Sequence, residues 1–197
     1  ARDRTKEPLV VTEVKEGTKQ DRAPSPFDTT TYMVAAARLG FSAANAMRIA
    51  EDLYMNGFIS YPRTDNTVYP ATLDLAGILQ TIRNSPFTKD VDWVLANRRT
   101  VPTRGKKSST DHPPIHPTGA GTREQLGDDA FRIYALVLRR FLATLAPDAL
   151  WKTLKILMVA GGEEYTVTGG QLLEPGWHAV YPFSEAKEVI LPAFVTG

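Results

Sequence analysis

Ala50-Glu51-Asp52-Leu53-Tyr54-Met55-Asn56-Gly57-Phe58-Ile59-Ser60-Tyr61-Pro62-Arg63-Thr64-Asp65 changes its period midway. Up to Tyr54 the apolar residues recur at helical spacing; Asn56-Gly57 then supplies a stop, and Pro62 prevents a new helix from propagating. An extended segment turns alternate side chains to one face, so Tyr61, Arg63 and Asp65 project together while Pro62 and Thr64 point away. A phenol, with a pKa near ~10, is a poor nucleophile at neutral pH, and a fixed cation beside it favours the phenolate and attracts phosphate. The pair suits attack on a phosphodiester. On spacing alone, a packed strand tyrosine beside a solvated arginine is the plainer reading, and the wider sequence is needed to displace it.

Upstream, Asp28 or Thr29 can cap a helix through Tyr32, Met33, Ala36 and Ala37 to Leu39, where Gly40 provides the left-handed stop. Ser42 then caps a second helix carrying Ala46, Met47, Ile49, Ala50, Leu53 and Tyr54. Helix, turn, helix and extended segment make a helix-turn-helix with a wing-like strand, a unit that is structural as readily as DNA-binding. Residues 9–14 read as a β-strand, followed by a linker to Pro26 that carries Gly17 and Pro24 among charges. Downstream, helices are expected over residues 71–83, near 90–98 and over 128–145. Arg132, Arg139 and Arg140 lie on the far side of the last, as a solvated face or as phosphate contacts. After Trp151 the texture is β: residues 151–160, a Gly161-Gly162 turn, 165–168 and 176–181.

The formal net charge is +1, so a polycation argument for nucleic acid does not apply. Basic residues cluster instead: Arg98, Arg99, Arg104, Lys106 and Lys107 stand close together, with no acid among them, at the head of a loop rich in Pro, Gly and Ser. Composition allows a solvated loop or a phosphate-binding one. At about twenty residues, the loop exceeds the ~12–15 usual for an idle connection. His112 and His116 stand at a metal-ligand spacing, but Pro113, Pro114 and Pro117 forbid the helix that would aim both imidazoles together, so no intrinsic metal site is expected. His178 beside Trp177 reads as packed or surface, and Trp93, Trp151 and Trp177 as core or strand-pair residues. No glycine-rich phosphate loop supports ATP use. The chain has no cysteine, and neither a membrane-length apolar run nor a signal peptide is evident; a soluble, intracellular protein is expected.

Four separated stretches carry a resemblance. Pro24-Ser25-Pro26-Phe27-Asp28-Thr29-Thr30-Thr31, the helix end Ala50-Glu51-Asp52-Leu53-Tyr54, the run from Gly57 to Asp65, and Asp111-His112-Pro113-Pro114-Ile115-His116-Pro117-Thr118 together resemble the type IA DNA topoisomerases, in family order. Asn66-Thr67-Val68-Tyr69-Pro70 and the doubled proline look most like the archaeal topoisomerase I and topoisomerase III-like branch. The resemblance implies that Tyr61 is the nucleophile, forming a 5′-phosphotyrosine link to one DNA strand before strand passage and resealing. Arg63 would position the scissile phosphate, His112 would stand near the cleavage site, and Asp65 could orient that histidine. The basic group from Arg98 to Lys107 becomes the candidate DNA-binding loop.

The implied fold is α+β: a helical winged-helix (CAP-like) domain inserted into a β-rich arch, with residues 1–26 and 148–197 in the arch and 27–147 in the insertion. In the family, Mg2+ is held by an acidic cluster of a separate N-terminal domain that also supplies a glutamate and a lysine. None of this is recognisable here, so the chain is expected to be a central fragment, inactive alone. Its expected partners are DNA, mainly single-stranded, and that metal-binding domain, with no ATP, no membrane and a cytoplasmic, nucleoid-associated location. The alternative is a noncatalytic winged-helix module that binds single-stranded DNA through residues 98–107.

Overall fold

In the computed structural model, which describes residues 8–184 and 187–193, the chain forms a sheet strand, then a helical unit, then two more strands of the sheet. Two units result. Arg22–Pro147 with Gly176–Ser184 form the helical one, and the described parts of 1–21, 148–175 and 185–197 the other.

The sheet is three-stranded and antiparallel in the order β1 (Val10–Asp21), β2 (Ala149–Ala160), β3 (Glu163–Glu174). Gly161 and Gly162 join β2 to β3 with φ of 60° and 78°; two consecutive positive φ values are what a two-residue hairpin turn demands, and glycine meets them without a Cβ penalty. The expected linker after residue 14 is corrected here, because β1 continues through Gly17 to Asp21, pairing Asp21 with Ala149. Its second half lacks an apolar alternation because that stretch of strand is solvent-exposed, and backbone ladder bonds hold it instead of burial. Val189 adds to β3 by a bridge at Gly170, with its N–H donating to the Gly170 carbonyl at 2.9 Å and the return bond at 3.0 Å. A Cβ on Gly169 would stand 2.8 Å from Leu191, so that close approach needs glycine.

The helical unit is built around α6 (Asp128–Leu145), whose bounds match the expected helix. Ile133, Tyr134, Leu136, Val137, Leu138, Phe141 and Leu142 are all fully buried along it. Around it lie α1 (Thr29–Arg38), α2 (Ala43–Met55), α3 (Leu75–Arg83), α4 (Thr88–Asn97) and the single turn α5 (Arg123–Leu126). Asp28 caps α1 in a reciprocal box with Thr31, Ser42 caps α2, and Asp74 caps α3. The cap at Asp74 is why α3 begins at Leu75 rather than four residues earlier. Residues 176–181 are not a strand: Gly176, at φ 47°, turns the chain into a 3-10 segment Gly176–Ala179, and the Trp177 N–H donates to the Pro147 carbonyl at 2.9 Å.

The arginines on α6 divide: Arg132 is exposed, as a solvated face requires, whereas Arg139 and Arg140 are half-buried and partnered. Arg139 pairs with Asp90 at 2.8 Å. Arg140 donates to the Ser25 carbonyl at 2.8 Å and lies over the Phe27 ring at 4.4 Å. Arg132 donates to the Leu39 carbonyl at 2.6 Å, closing the end of α1.

Candidate active site

The candidate residues lie on irregular chain held by regular elements. Asn56 closes α2, and Gly57, at φ 78°, starts an irregular stretch to Thr67 that bends at Phe58 and Pro62. This stretch is not the ladder strand the sequence suggests. Pro62 on one side and Pro113, Pro114 and Pro117 on the other lack the N–H groups a ladder needs, and the residues themselves supply substitutes. Ile59 bridges Pro117, the Ser60 N–H donates to the His116 carbonyl at 2.8 Å, and the Thr118 N–H donates to the Phe58 carbonyl at 3.0 Å. Further along, Thr64 Oγ1 donates to the His112 carbonyl at 3.2 Å, and the Thr67 N–H to the Lys107 carbonyl at 2.9 Å. Two segments far apart in sequence are thus fastened along their length.

The first motif joins them. Thr29, at the head of α1, donates through its hydroxyl to the Pro62 carbonyl at 2.8 Å and accepts from the Thr64 N–H at 2.8 Å. Its own N–H donates to the Thr64 carbonyl at 2.9 Å. Phe27 bridges Ile115. Pro62 is consequently buried and Thr64 half-buried, while Arg63 and Asp65 are exposed and Tyr61 is half-buried.

Three of the four expected site residues, Arg63, Asp65 and His112, line one open pocket, together with Thr29, Ser109 and Asp111. Tyr61 stands against His112 with ring centroids 4.6 Å apart, and Tyr54 from α2 meets Tyr61 edge-on at 5.2 Å. The Arg63 guanidinium donates from Nε at 2.7 Å and lies with Nη2 at 2.6 Å, both to Oε1 of Glu51. Asp65 shares the pocket with His112, and among the described residues no hydrogen bond joins the two. His112 is instead located through its carbonyl, which accepts from Thr64 and from Asn66 Nδ2 at 3.1 Å.

The five basic residues of the expected loop divide. Arg99 turns inward, donating from its backbone to the Leu145 carbonyl and from Nε to the Ala146 carbonyl, both at 2.9 Å, so it closes the C-terminal end of α6. Arg98, Arg104, Lys106 and Lys107 present exposed side chains. Their backbone is ordered by Thr67, whose carbonyl accepts from the Gly105 N–H and whose hydroxyl donates to the Lys107 carbonyl, both at 2.9 Å. A Cβ at Gly105 would collide with the Thr67 side chain.

His116 is a structural lock. It is 3 % exposed, its Nδ1 lies 2.7 Å from the Pro114 carbonyl, and its N–H donates to Ser60 Oγ at 3.0 Å. Burial lowers its pKa, opposed by the bond to Pro114. Among the described residues no group of three or more His, Cys, Asp or Glu is placed to hold a metal ion. No helix of the described residues is long and apolar enough to cross a membrane.

Glu51, which bonds Arg63, and Asn66, which bonds the His112 carbonyl, are the neighbours of the candidate residues that sequence reasoning missed. Glu51 lay within the stretch that reads as a helix end, and Asn66 within one that reads only as a branch marker. Their signal was available in part: Glu51 and Tyr54, three apart, share a helix face that must point where the chain goes after Gly57.

Comparison with known proteins gives one consistent result. The family model described as DNA topoisomerase matches residues 1–197. DNA topoisomerase 1 of Archaeoglobus fulgidus is 44% identical over 178 residues, covering 90% of this chain and 26% of that protein. DNA topoisomerase 1 of Thermoplasma acidophilum is 40% identical over 176 residues, 89% of this chain and 23% of that protein. The solved structure of full-length topoisomerase I from Thermotoga maritima matches 98% of this chain and 32% of its own, with 26% identity and a TM-score of 0.69. The chain therefore spans about a quarter of the length of these two curated relatives.

Proposed function

From a chain that belongs to the type IA DNA topoisomerases, an isomerase family, we propose that it carries the nucleophile of an enzyme that cuts one DNA strand, passes another and reseals the break. The observation that carries this reading is the convergence of three separated motifs on one open pocket and its edge, where Tyr61 adjoins His112 and stands two residues before Arg63.

Tyr61 Oη attacks the scissile phosphorus; the bond from phosphorus to tyrosine forms as the bond to the 3′ oxygen breaks, leaving a 5′-phosphotyrosine and a free 3′ hydroxyl. One phosphoester replaces another, so resealing by the reverse step needs no ATP. Arg63 stabilises charge on the phosphoryl oxygens, and His112 holds the backbone beside the cut. The exposed Arg98, Arg104, Lys106 and Lys107 add phosphate contacts along a single strand, and Arg99 supports that loop from inside. In this reading α1, Gly40, α2 and the segment after Gly57 form the winged-helix element, and the three-stranded sheet belongs to a β-rich arch. The protein works on DNA in the cytoplasm, at the nucleoid.

Mg2+ is the cofactor this chemistry takes. The described residues do not fit it, so it would be held elsewhere in the enzyme, and none of the steps above runs through it. Taken apart from the residues that hold the ion, this stretch is expected to bind single-stranded DNA weakly and not to relax supercoils.

The test uses a full-length enzyme carrying this sequence, with Mg2+ and single-stranded DNA labelled at the 3′ end. Wild type is expected to yield a denaturation-resistant labelled adduct that Tyr61→Phe abolishes, with unchanged thermal stability. Binding without any adduct from correctly folded wild type would leave a noncatalytic DNA-binding module as the better reading.

A further inference from the structure

Resting on the reading just given, we infer that Glu51 is a positioning residue for the cleavage chemistry, acting through Arg63. The argument begins with the shape of the guanidinium. Arginine offers two planar edges, one formed by Nε and Nη2, the other by Nη1 and Nη2. Glu51 Oε1 occupies the first, at 2.7 Å from Nε and 2.6 Å from Nη2. The second edge has no protein partner among the described residues, and Arg63 lines an open pocket with His112. A phosphate entering the pocket can be gripped along that edge without displacing Glu51.

The pair's exposure decides what it is for. Side chains 57% and 41% exposed make a salt bridge that contributes little to stability, because water screens it and both chains lose freedom. Orientation is a different quantity. Arg63 sits on chain without a ladder, one residue beyond Pro62, and its long side chain would otherwise sample many rotamers. Glu51 is anchored on α2, one turn before Tyr54, whose ring packs edge-on against Tyr61 at 5.2 Å. One helix face therefore locates both the phenol and the guanidinium, and a rigid element fixes the distance between nucleophile and phosphate clamp.

Glu51 also carries a negative charge that opposes DNA phosphate, and the opposite role follows from it: a mask that must be removed before DNA binds. The two roles differ in the sign of the effect of removing it. In a full-length enzyme, Glu51→Ala keeps helix propensity, so folding survives the change. If Glu51 positions Arg63, Glu51→Ala slows adduct formation by on the order of tenfold to a hundredfold. DNA affinity then stays within about twofold, because the loss falls on the chemical step rather than on binding. Glu51→Gln, which keeps the accepting oxygen, recovers most of the rate. In an Arg63→Ala background, adding Glu51→Ala changes the rate by less than about twofold, since the two act as one unit. Faster cleavage or tighter DNA binding in Glu51→Ala overturns the inference in favour of masking. A full additional loss in the Arg63→Ala background overturns it in favour of a role unconnected with Arg63. Wild type that forms no adduct defeats the topoisomerase reading and this inference with it; wild-type adduct with an unaffected Glu51→Ala defeats the inference alone.

Discussion

The sheet and the helical unit are held together by opposite means. Along β1, β2 and β3 the backbone ladder is nearly continuous, while buried side chains are sparse: Ala149, Ile156 and Met158 on β2 carry the burial, and most of β3 is exposed. In the helical unit the ladder is absent from the functional segments, and stability comes from the α6 core and from side chains that bond to backbone. A ladder fixes a strand whatever its side chains are, so the sheet's sequence is free to be polar. Chain that must present a phenol, a guanidinium and an imidazole together has no ladder, and each turn of it depends on a particular residue.

That contrast is broken most forcefully in the core. Phe141→Ala removes a fully buried ring from the centre of α6, and a loss of about 3–5 kcal/mol is expected. Ile156→Ala on β2 opens a smaller hole beside half-exposed neighbours that can close over it, so about 2 kcal/mol is expected, at the low end of such truncations. Denaturant unfolding combined with hydrogen exchange resolved by residue separates the two. Phe141→Ala should loosen the helical amides, and Ile156→Ala those of β2. Equal losses would show that the sheet relies on its side chains as much as the helices do.

Legibility in the sequence follows the same division. The bounds of α6 were readable because a helix packed on a core must repeat its apolar residues at 3.6, and residues 128–145 do so without interruption. The Gly161-Gly162 hairpin was readable because positive φ restricts the choice of residue. The second half of β1 was not, because a strand exposed on both faces need not alternate. Residues 176–181 read as β from their bulky residues, yet one glycine at positive φ and one bond to Pro147 turned them into a 3-10 segment. At the site, the adjacency of Tyr61 and Arg63 suited attack on a phosphodiester but left a packed strand tyrosine as the plainer reading, and the resemblance was needed to displace it. The approach of His112 to Tyr61 came only from the resemblance, since nothing in the spacing of two proline-rich segments states that they pair. Asn66 left no signal, because a single polar residue that bonds across the fold leaves no period, and Glu51 left only the helix face it shares with Tyr54.

Asn66 sharpens the comparison at intermediate size. It is 2% exposed; its amide donates to the Ser109 carbonyl at 2.8 Å and to the His112 carbonyl at 3.1 Å, and its Oδ1 accepts from the Val68 N–H at 2.9 Å. Asn66→Ala leaves these groups without their partner, and about 1–3 kcal/mol of destabilisation is expected. The functional loss should exceed what that stability change explains, because His112 is placed through the carbonyl that Asn66 holds. Adduct formation measured well below the unfolding temperature tests this. Activity equal to wild type at full folding would mean that Thr64 alone suffices to seat His112.

The smallest effect concerns His116 and gives the comparison a pH axis. Its pKa is lowered in the fold chiefly by burial, so the folded protein keeps the imidazole neutral where the unfolded chain, near the ordinary ~6.5, already takes a proton. A group depressed in this way contributes stability that is present above the unfolded value and is lost as pH falls through 6.5 toward the folded value. The loss should fall on the helical unit, because His116 ties the segment after His112 to Ser60 and Pro114, and Tyr69 packs edge-on against its ring at 6.1 Å. Other groups face opposite trends: Asp90 is raised by burial, partly offset by Arg139, and by itself favours the fold as pH falls. The informative measurement is therefore a difference: the pH dependence of unfolding between about 7.5 and 5.5 for wild type against His116→Gln, in which the other carboxylates cancel. Wild type should lose more stability over that interval than the variant, with hydrogen exchange rising at Ser60 and His116 before it rises in β2. A variant with the same slope as wild type would place the acid sensitivity elsewhere and reduce His116 to a packing residue.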